Sequence, residues 1–159
     1  MIGLLGFGLL SKGGASVDIG EPVPDGPLPR LDGRGTGQVA DYRGNWVLIN
    51  FWASWCDPCR QESPALERFY RRNRDRRFTV LGIDTRDLSG DGRAFVERFG
   101  LTYPQLRDGD GSRGHDFGTT GVPESYLVDP DGRLALIRRG PVDEEYLRAY
   151  VEPLLRSGR

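Results

Sequence analysis

The sequence predicts an α/β fold with a mixed central sheet, helices on both of its faces and short strands at its N-terminal end. Two runs predict central strands: residues 46–53 form a continuous apolar run with the length of a strand that is covered on both sides, and residues 78–84 form the second run. Segments with helical spacing of apolar residues follow each run. The resulting order, β-α-β-α-β-β-α, is typical of such a sheet.

The length and charge of the chain limit its class. Its 159 residues fit one domain, and a formal net charge of −1 gives no reason to expect a polyanionic partner. Several arginines between Arg68 and Arg77 could suggest nucleic-acid binding. They lie late on a predicted helix, where cations complement the helix dipole and form a solvated face, so we expect no nucleic-acid partner.

The N-terminal segment differs in composition from the rest of the chain. We expect residues 1–20 to be a leader or anchor remnant with a linker, without stable structure, and residues 21–159 to form the folded domain. The apolar stretch at residues 2–10 is too short to span a bilayer and lacks the positive start of a signal peptide. A frayed leader and the remnant of a longer signal-anchor both remain open.

The first elements are short strands and a long helix. Residues 28–31 and 37–41 predict short edge strands, separated by an Asp-Gly turn. The helix after the first central strand begins near Pro58. Its apolar residues recur at helical spacing, at Leu66, Phe69 and Tyr70.

The second half of the chain continues with a short helix that ends at Gly100. Residues 108–112 predict a loop, since the glutamate that a calcium loop needs is missing downstream. Residues 125–128 and 134–137 predict a hairpin joined by an Asp-Pro-Asp-Gly turn. Asp143 is expected to cap the final helix.

The only two cysteines, Cys56 and Cys59, directly follow the first central strand. A strand that ends in C-x-x-C and continues into a helix places the first sulfur at the helix N-terminus. There the unpaired N–H groups and the helix dipole favour a thiolate. The second cysteine lies one turn further, near enough to close a small disulfide ring. The pattern predicts a redox site.

Two simpler interpretations of the cysteines are less favourable. A structural zinc site needs two more Cys or His ligands, and the only histidine, His115, is far downstream. A purely structural disulfide across two residues would constrain little of the unfolded chain. We therefore expect no metal and no cofactor other than a redox-active Cys56–Cys59 disulfide.

The order of elements, with W-C-x-x-C at the first β-to-α junction, resembles the thioredoxin superfamily. Val122-Pro123 stands where the superfamily carries a cis-proline that faces the cysteines. Residues 56–62 resemble the C-x-P-C-x-x-E motif of the TlpA/ResA branch. Residues 121–129 are similar to the G-[AV]-P-E-[ST]-[FY]-L-[IV]-D motif of the DsbE/CcmG proteins. The match extends from about residue 20 to residue 155.

The resemblance implies a thioredoxin-like fold and an extracytoplasmic thiol:disulfide oxidoreductase that reduces protein disulfides. It implies a disulfide-containing protein substrate such as apocytochrome c, and a membrane thiol reductant of the CcdA type as partner. Anchoring to the membrane would be through the N-terminal segment. We expect a monomer.

The resemblance also implies roles for the acidic and thiol groups. Cys56 is expected to be an exposed nucleophile, and Cys59 to resolve the mixed disulfide. A partly buried Glu62 would have a raised pKa and exchange protons with Cys59, whereas the alternative is a solvated helix-face glutamate. Glu124 would raise the pKa of the thiols or contact a basic substrate segment, unless it is exposed and without a role.

The substrate groove is expected to form around three residues. Trp55 should pack beside Cys56, and the Val122-Pro123 segment should offer a backbone edge to a substrate strand.

Two other functions remain as alternatives. Peroxidases of the peroxiredoxin kind share this fold but commonly use T-x-x-C with an arginine, whereas Cys56 is followed by a C-x-x-C partner. Copper chaperones of the SCO type use C-x-x-x-C and a distant histidine, and this chain has one residue too few between its cysteines.

Overall fold

The structure is a computed structural model that describes residues 16–157. Most of the predicted leader and linker, residues 1–15, lies outside the described residues. Within the described part, no helix combines the length and apolar character that crossing a membrane requires.

The strands form two sheets. They are β1 (Leu28–Pro29), β2 (Thr36–Gly37), β3 (Trp46–Trp52), β4 (Phe78–Thr85), β5 (Gln105–Asp108), β6 (Glu124–Val128) and β7 (Leu134–Arg139). The first two pair in a small antiparallel sheet, and the other five form the main sheet in the order β5-β4-β3-β6-β7. β4 runs parallel to β3 and β5, whereas β6 is antiparallel to β3 and β7. The mixed central sheet is therefore confirmed.

Helices connect and cover the strands of the main sheet. They are a 3₁₀ helix (Val39–Tyr42), α1 (Asp57–Asn73), α2 (Ser89–Phe99), α3 (Ser112–Phe117) and a C-terminal segment with α4 (Glu144–Tyr146), a π-helical stretch (Leu147–Val151) and α5 (Glu152–Arg156). The side chain of Asp143 caps α4 by accepting a hydrogen bond of 2.7 Å from the Tyr146 amide, as predicted.

Two apolar cores lie on opposite faces of the sheet, because side chains alternate along a strand. Leu48 and Trp52 of β3 pack on one face with α1, α2, the C-terminal helical segment and both cysteines. Ile49 and Phe51 pack on the other face with α3 and the N-terminal region. We call these the cysteine face and the opposite face.

Two local predictions were wrong. Residues 37–41 contain only the end of β2 and continue as the 3₁₀ helix, because the Asp25 carboxylate accepts hydrogen bonds of 2.9 Å from the Val39 and Ala40 amides. Residues 108–112 are not only a loop, since they include the end of β5 and the start of α3. β5 was missed because its four residues are mostly polar.

Candidate functional site

The cysteines lie at the junction of β3 and α1, as the sequence predicted. Cys56 is the N-cap of α1 and forms a disulfide bond with Cys59. The Cys59 amide also points to Cys56 Sγ, at an N to S distance of 3.2 Å. This position at the N-terminus of a 17-residue helix favours a thiolate on Cys56 after reduction.

The predicted exposure of Cys56 is wrong for the disulfide form. Cys56 is 3% exposed and Cys59 is 1% exposed, so burial does not distinguish the two residues. Both belong to the core of the cysteine face, and the partly buried Val122 packs against that core. In the disulfide form, very little of either cysteine is therefore accessible to an attacking group.

Glu62 is buried on α1, one turn after Cys59. Its Oε1 accepts a hydrogen bond of 2.8 Å from Asn50 Nδ2, and its Oε2 accepts one of 2.9 Å from the Val142 amide. The burial of the carboxyl raises the pKa of Glu62 to about 7, although these two hydrogen bonds and the charge of Arg138 oppose the increase. The alternative of a solvated glutamate is wrong.

Asn50 is a site residue that the sequence reasoning missed. It lies in the middle of β3, and its Nδ2 donates to Glu62 and, at 3.1 Å, to Ser125 Oγ of β6. The sequence did contain a signal for this role, because Asn50 is the single amide inside a strand that is otherwise apolar. A polar residue at such a position needs buried partners, and here it orients the Glu62 carboxyl.

The Val122–Pro123 peptide bond is cis, and it directly precedes β6. Pro123 is buried, and its carbonyl oxygen accepts a hydrogen bond of 3.0 Å from the Gly140 amide. Within the described residues, the backbone N–H and C=O of Val122 have no hydrogen-bond partner. The backbone groups of Val122, directly before the buried Pro123, are thus free to pair with another strand.

Glu124 is buried in a network of its own. Its carboxylate accepts hydrogen bonds from the Thr120 amide at 2.9 Å, from the Thr120 hydroxyl, and from the Tyr126 hydroxyl at 2.7 Å. Arg139 Nη1 lies 3.0 Å from Glu124 Oε2. Burial favours the neutral acid, but these hydrogen bonds and the charge of Arg139 outweigh it, so the pKa of Glu124 lies below its usual value.

This network corrects the expectations for Glu124. Tyr126 and Val128 of β6 pack on the opposite face, so the alternation along the strand directs Glu124 there as well, away from the cysteine face. Its oxygens are occupied by groups of the same chain. An exposed position without a role and a contact with a basic substrate are therefore wrong. The effect of Glu124 on the pKa of the thiols stays a prediction.

Trp55 is 59% exposed, and its indole Nε1 donates a hydrogen bond of 3.2 Å to the Arg86 carbonyl oxygen. Together with Arg86, His115 and Val122 it lines a depression of about 130 Å³. The depression connects the residue before Cys56 with the residue before Pro123. It is a surface on which part of a substrate could lie.

Metal ligands are not grouped in the described part of the chain. Residues 16–157 contain no cluster of three or more His, Cys, Asp or Glu side chains that could hold a metal ion. The site described above is built from a disulfide, a buried carboxyl and polypeptide backbone.

The geometry agrees with what the chain is similar to. A family model described as the AhpC/TSA family matches residues 19–137. The chain belongs to this family. The thiol-disulfide oxidoreductase ResA of Geobacillus thermodenitrificans is 30% identical, over 87% of this chain and 79% of that protein. The thiol:disulfide interchange protein DsbE of Allochromatium vinosum is 33% identical, over 86% of this chain and 75% of that protein.

Solved structures give the same result for this AhpC/TSA member. A protein from Chlorobium tepidum, described as a thiol:disulfide interchange protein DsbE, has a TM-score of 0.81 and 27% identity, covering 90% of this chain and 99% of that chain. A secreted thiol-disulfide isomerase from Corynebacterium glutamicum has a TM-score of 0.77 and 26% identity, covering 84% and 85%.

The relatives and the Cys56–Cys59 pair establish the enzyme class. The protein is a thiol-disulfide oxidoreductase of the ResA/DsbE type with a thioredoxin-like fold. The predicted family, fold and enzyme class are confirmed.

Proposed function

We propose that the protein is an extracytoplasmic reductase of protein disulfides, with apocytochrome c as a candidate substrate. The observation that carries this proposal is a redox disulfide at a helix N-terminus with a buried carboxyl one turn beyond it. Such a site can transfer two electrons and can also accept or release a proton near neutral pH.

In the proposed reaction the reduced protein attacks first through Cys56. The Cys56 thiolate forms a bond to one sulfur of the substrate disulfide, and the other substrate sulfur leaves as a thiolate that takes up a proton. Cys59 then loses its proton and attacks Cys56 Sγ. The substrate is released as a dithiol, and the protein becomes the Cys56–Cys59 disulfide.

Glu62 is proposed to accept the proton of Cys59. The two residues are three positions apart on α1, so their side chains lie on neighbouring parts of one helix face. With a pKa near 7, both the acid and the carboxylate form of Glu62 are populated at neutral pH. Asn50 and the Val142 amide hold its carboxyl in place and are positioning groups.

The substrate is proposed to bind along the depression next to the disulfide. Trp55 would contact apolar groups of the substrate, and the free backbone groups of Val122 would pair with a substrate strand beside Pro123. We assign Glu124 a positioning role only. Its carboxylate accepts hydrogen bonds from Thr120 and from Arg139 of β7, and so it connects the segment before Pro123 to β6 and β7.

The cellular setting is proposed from the relatives and the sequence. A relative of solved structure is described as secreted, which supports an extracytoplasmic location. We propose that a membrane thiol reductant of the CcdA type re-reduces the disulfide, that residues 1–20 belong to a leader or anchor, and that residues 21–159 act as a monomeric domain. No metal, cofactor or nucleic acid takes part in this proposal.

A trapping experiment tests the reaction. The substrate is a peptide with an internal C-x-x-C disulfide followed by histidine, the pattern of haem attachment. The reduced Cys59→Ser variant should accumulate a mixed disulfide between Cys56 and the peptide, and Cys56→Ser should not. Trapping by Cys56→Ser instead would contradict the assigned roles.

The same preparation separates the alternative functions. Wild-type protein should reduce the peptide faster than it consumes hydrogen peroxide, and it should not retain Cu(I) against a chelator. Faster reaction with peroxide would favour the peroxidase alternative, and retention of Cu(I) would favour the copper chaperone.

A further inference from the structure

Two further carboxyl groups, those of Asp84 and Asp87, have no part in the mechanism above. Asp84 lies near the C-terminal end of β4, and its side chain is buried. Asp87 lies in the loop between β4 and α2. Asp84 is 0% exposed, and within the described residues neither of its carboxyl oxygens has a hydrogen-bond donor. A buried polar group without a partner is rare and requires an explanation.

The packing around Asp84 leaves its carboxyl little freedom. Gly92 of α2 lies so close that a Cβ atom at this position would be 2.4 Å from Asp84 Oδ2. Any side chain at position 92 would therefore collide with the carboxyl group.

Asp87 connects this pair to the turn that precedes Cys56. Its Oδ2 accepts a hydrogen bond of 2.6 Å from the Ser54 amide, and its Oδ1 accepts one of 3.0 Å from the Ser54 hydroxyl. The Ser54 carbonyl in turn accepts a hydrogen bond of 2.8 Å from Arg60 of α1. Ser54 is thus held from both sides, two residues before the disulfide.

The charged groups that act on Asp84 come from two elements. They are the carboxyl of Asp87 and the guanidinium of Arg107 on β5, whose Nη2 also donates a hydrogen bond of 3.0 Å to the Asp87 carbonyl oxygen. Burial raises the pKa of Asp84 to about 8, the negative charge of Asp87 adds to the increase, and Arg107 opposes it. At neutral pH the pair therefore holds a proton on Asp84.

We propose that Asp87 is a positioning residue for the redox disulfide, and that a proton shared between Asp84 and Asp87 keeps the Asp87 carboxyl bonded to Ser54. In the protonated pair, Asp84 donates to the Asp87 carboxylate, which provides the missing partner for its buried carboxyl. When Asp84 loses this proton, two negative charges face each other and Asp87 is repelled. The turn before Cys56 then loosens.

The oxidised protein tests the shared proton, because it contains no thiol that titrates. The measurement is the protection of the Ser54 amide against hydrogen exchange, relative to an unstructured chain, between pH 6.5 and pH 9. In wild type this protection should fall about tenfold, the equivalent of one hydrogen bond. In Asp84→Asn, whose amide donates to Asp87 at every pH, it should stay constant.

Two control variants show whether the loss of the pH dependence is specific to Asp84. Glu62→Gln removes the other buried carboxyl with a raised pKa, and Asp75→Asn makes the same exchange as Asp84→Asn at an exposed residue. Both should show the wild-type decrease. Constant protection of the Ser54 amide in wild type, or an equal decrease in Asp84→Asn, would contradict the proposal that Asp84 and Asp87 share a proton.

The rate of disulfide reduction by dithiothreitol at pH 7 tests the positioning role. Asp87→Ala should be reduced about fivefold faster than wild type, since losing the bonds to Ser54 uncovers Cys56. Asp87→Asn keeps an acceptor for the Ser54 amide and should restore most of the wild-type rate. Ser54→Ala, which loses only the hydroxyl bond, is a milder variant with an expected intermediate rate. Wild-type rates in all three variants would overturn the proposal.

Discussion

Glu62 and Glu124 are both shielded from solvent, but the Glu62 carboxyl lies deeper in the protein and the two groups have different hydrogen-bond and charge partners. Each is 2% exposed, yet the pKa of Glu62 rises to about 7 and the pKa of Glu124 falls below its usual value. Glu62 lies on the cysteine face and accepts hydrogen bonds from two neutral donors, Asn50 and the Val142 amide. Glu124 lies on the opposite face, where Arg139 adds a positive charge to its hydroxyl and amide donors.

The difference shows what decides the protonation state of a buried carboxyl. Burial penalises the charged form of both groups, more strongly at the deeper Glu62, where two neutral hydrogen bonds and the charge of Arg138 do not fully compensate. At Glu124 a guanidinium together with the hydrogen bonds does compensate. Glu62, on the cysteine face, therefore titrates near neutral pH, whereas Glu124, on the opposite face, is ionised at neutral pH.

The largest expected effect comes from Glu62→Gln. Because the folded-state pKa of Glu62 is raised, the folded protein binds more protons, and its free energy of unfolding decreases as pH rises from about 4.5 to about 7. From the pKa difference, this loss amounts to about 3 kcal/mol. In Glu62→Gln this loss should be absent.

Urea unfolding of the oxidised proteins at pH 4.5 and pH 8 checks this prediction. Asp84 contributes a change of the same sign in both proteins, so the relevant quantity is the difference between variant and wild type. This difference should increase by about 3 kcal/mol in favour of the variant. A difference that does not change with pH would mean that Glu62 ionises as freely as an exposed glutamate.

Removing Arg139, the positively charged partner of Glu124, should have the next largest effect on stability. Arg139→Met leaves a buried carboxylate without its charged partner and should cost about 2 kcal/mol at pH 7, less than for a fully buried pair because Arg139 is half-exposed. The double variant Glu124→Gln/Arg139→Met should recover part of this loss. Chemical denaturation of wild type, the two single variants and the double variant measures the coupling, and strictly additive losses would show that the pair does not interact.

Glu124→Gln alone should have the smallest effect, with a pH dependence opposite to that of Glu62→Gln. The lowered pKa of Glu124 contributes stability that is present above about pH 4.5 and is lost as pH falls through the folded-state pKa. The variant should therefore be about 1 kcal/mol less stable than wild type at pH 7 and should approach it in acid. Unfolding curves at pH 3 and pH 7 provide the comparison, and a constant difference would contradict a lowered pKa.

Much of the site followed from the sequence because its positions depend on local patterns. The apolar run of β3 and the C-x-x-C after it were enough to place Cys56 and Cys59 at a helix N-terminus. The spacing of Glu62 on α1 indicated which helix face it shares with Cys59. The central strands and the final hairpin followed in the same way from runs and turn residues.

The remaining features depend on contacts between distant segments. Whether Glu62 is buried depends on Val142, eighty residues later, whose amide reaches its carboxyl. The sign of the Glu124 pKa shift depends on Arg139 of the neighbouring strand β7. The alternation along β6 could have placed Glu124 on the opposite face, but the motif resemblance suggested a position near the cysteines instead.

Carbon-13 NMR titration of the side-chain carboxyl groups in the oxidised protein tests the central contrast most directly. A single series of spectra from pH 2.5 to pH 9 follows both glutamates under the same conditions. We predict a midpoint near 7 for Glu62 and one below 4.5 for Glu124. Titration of Glu62 at or below 4.5, together with Glu124, would contradict its proposed role as the proton acceptor of Cys59.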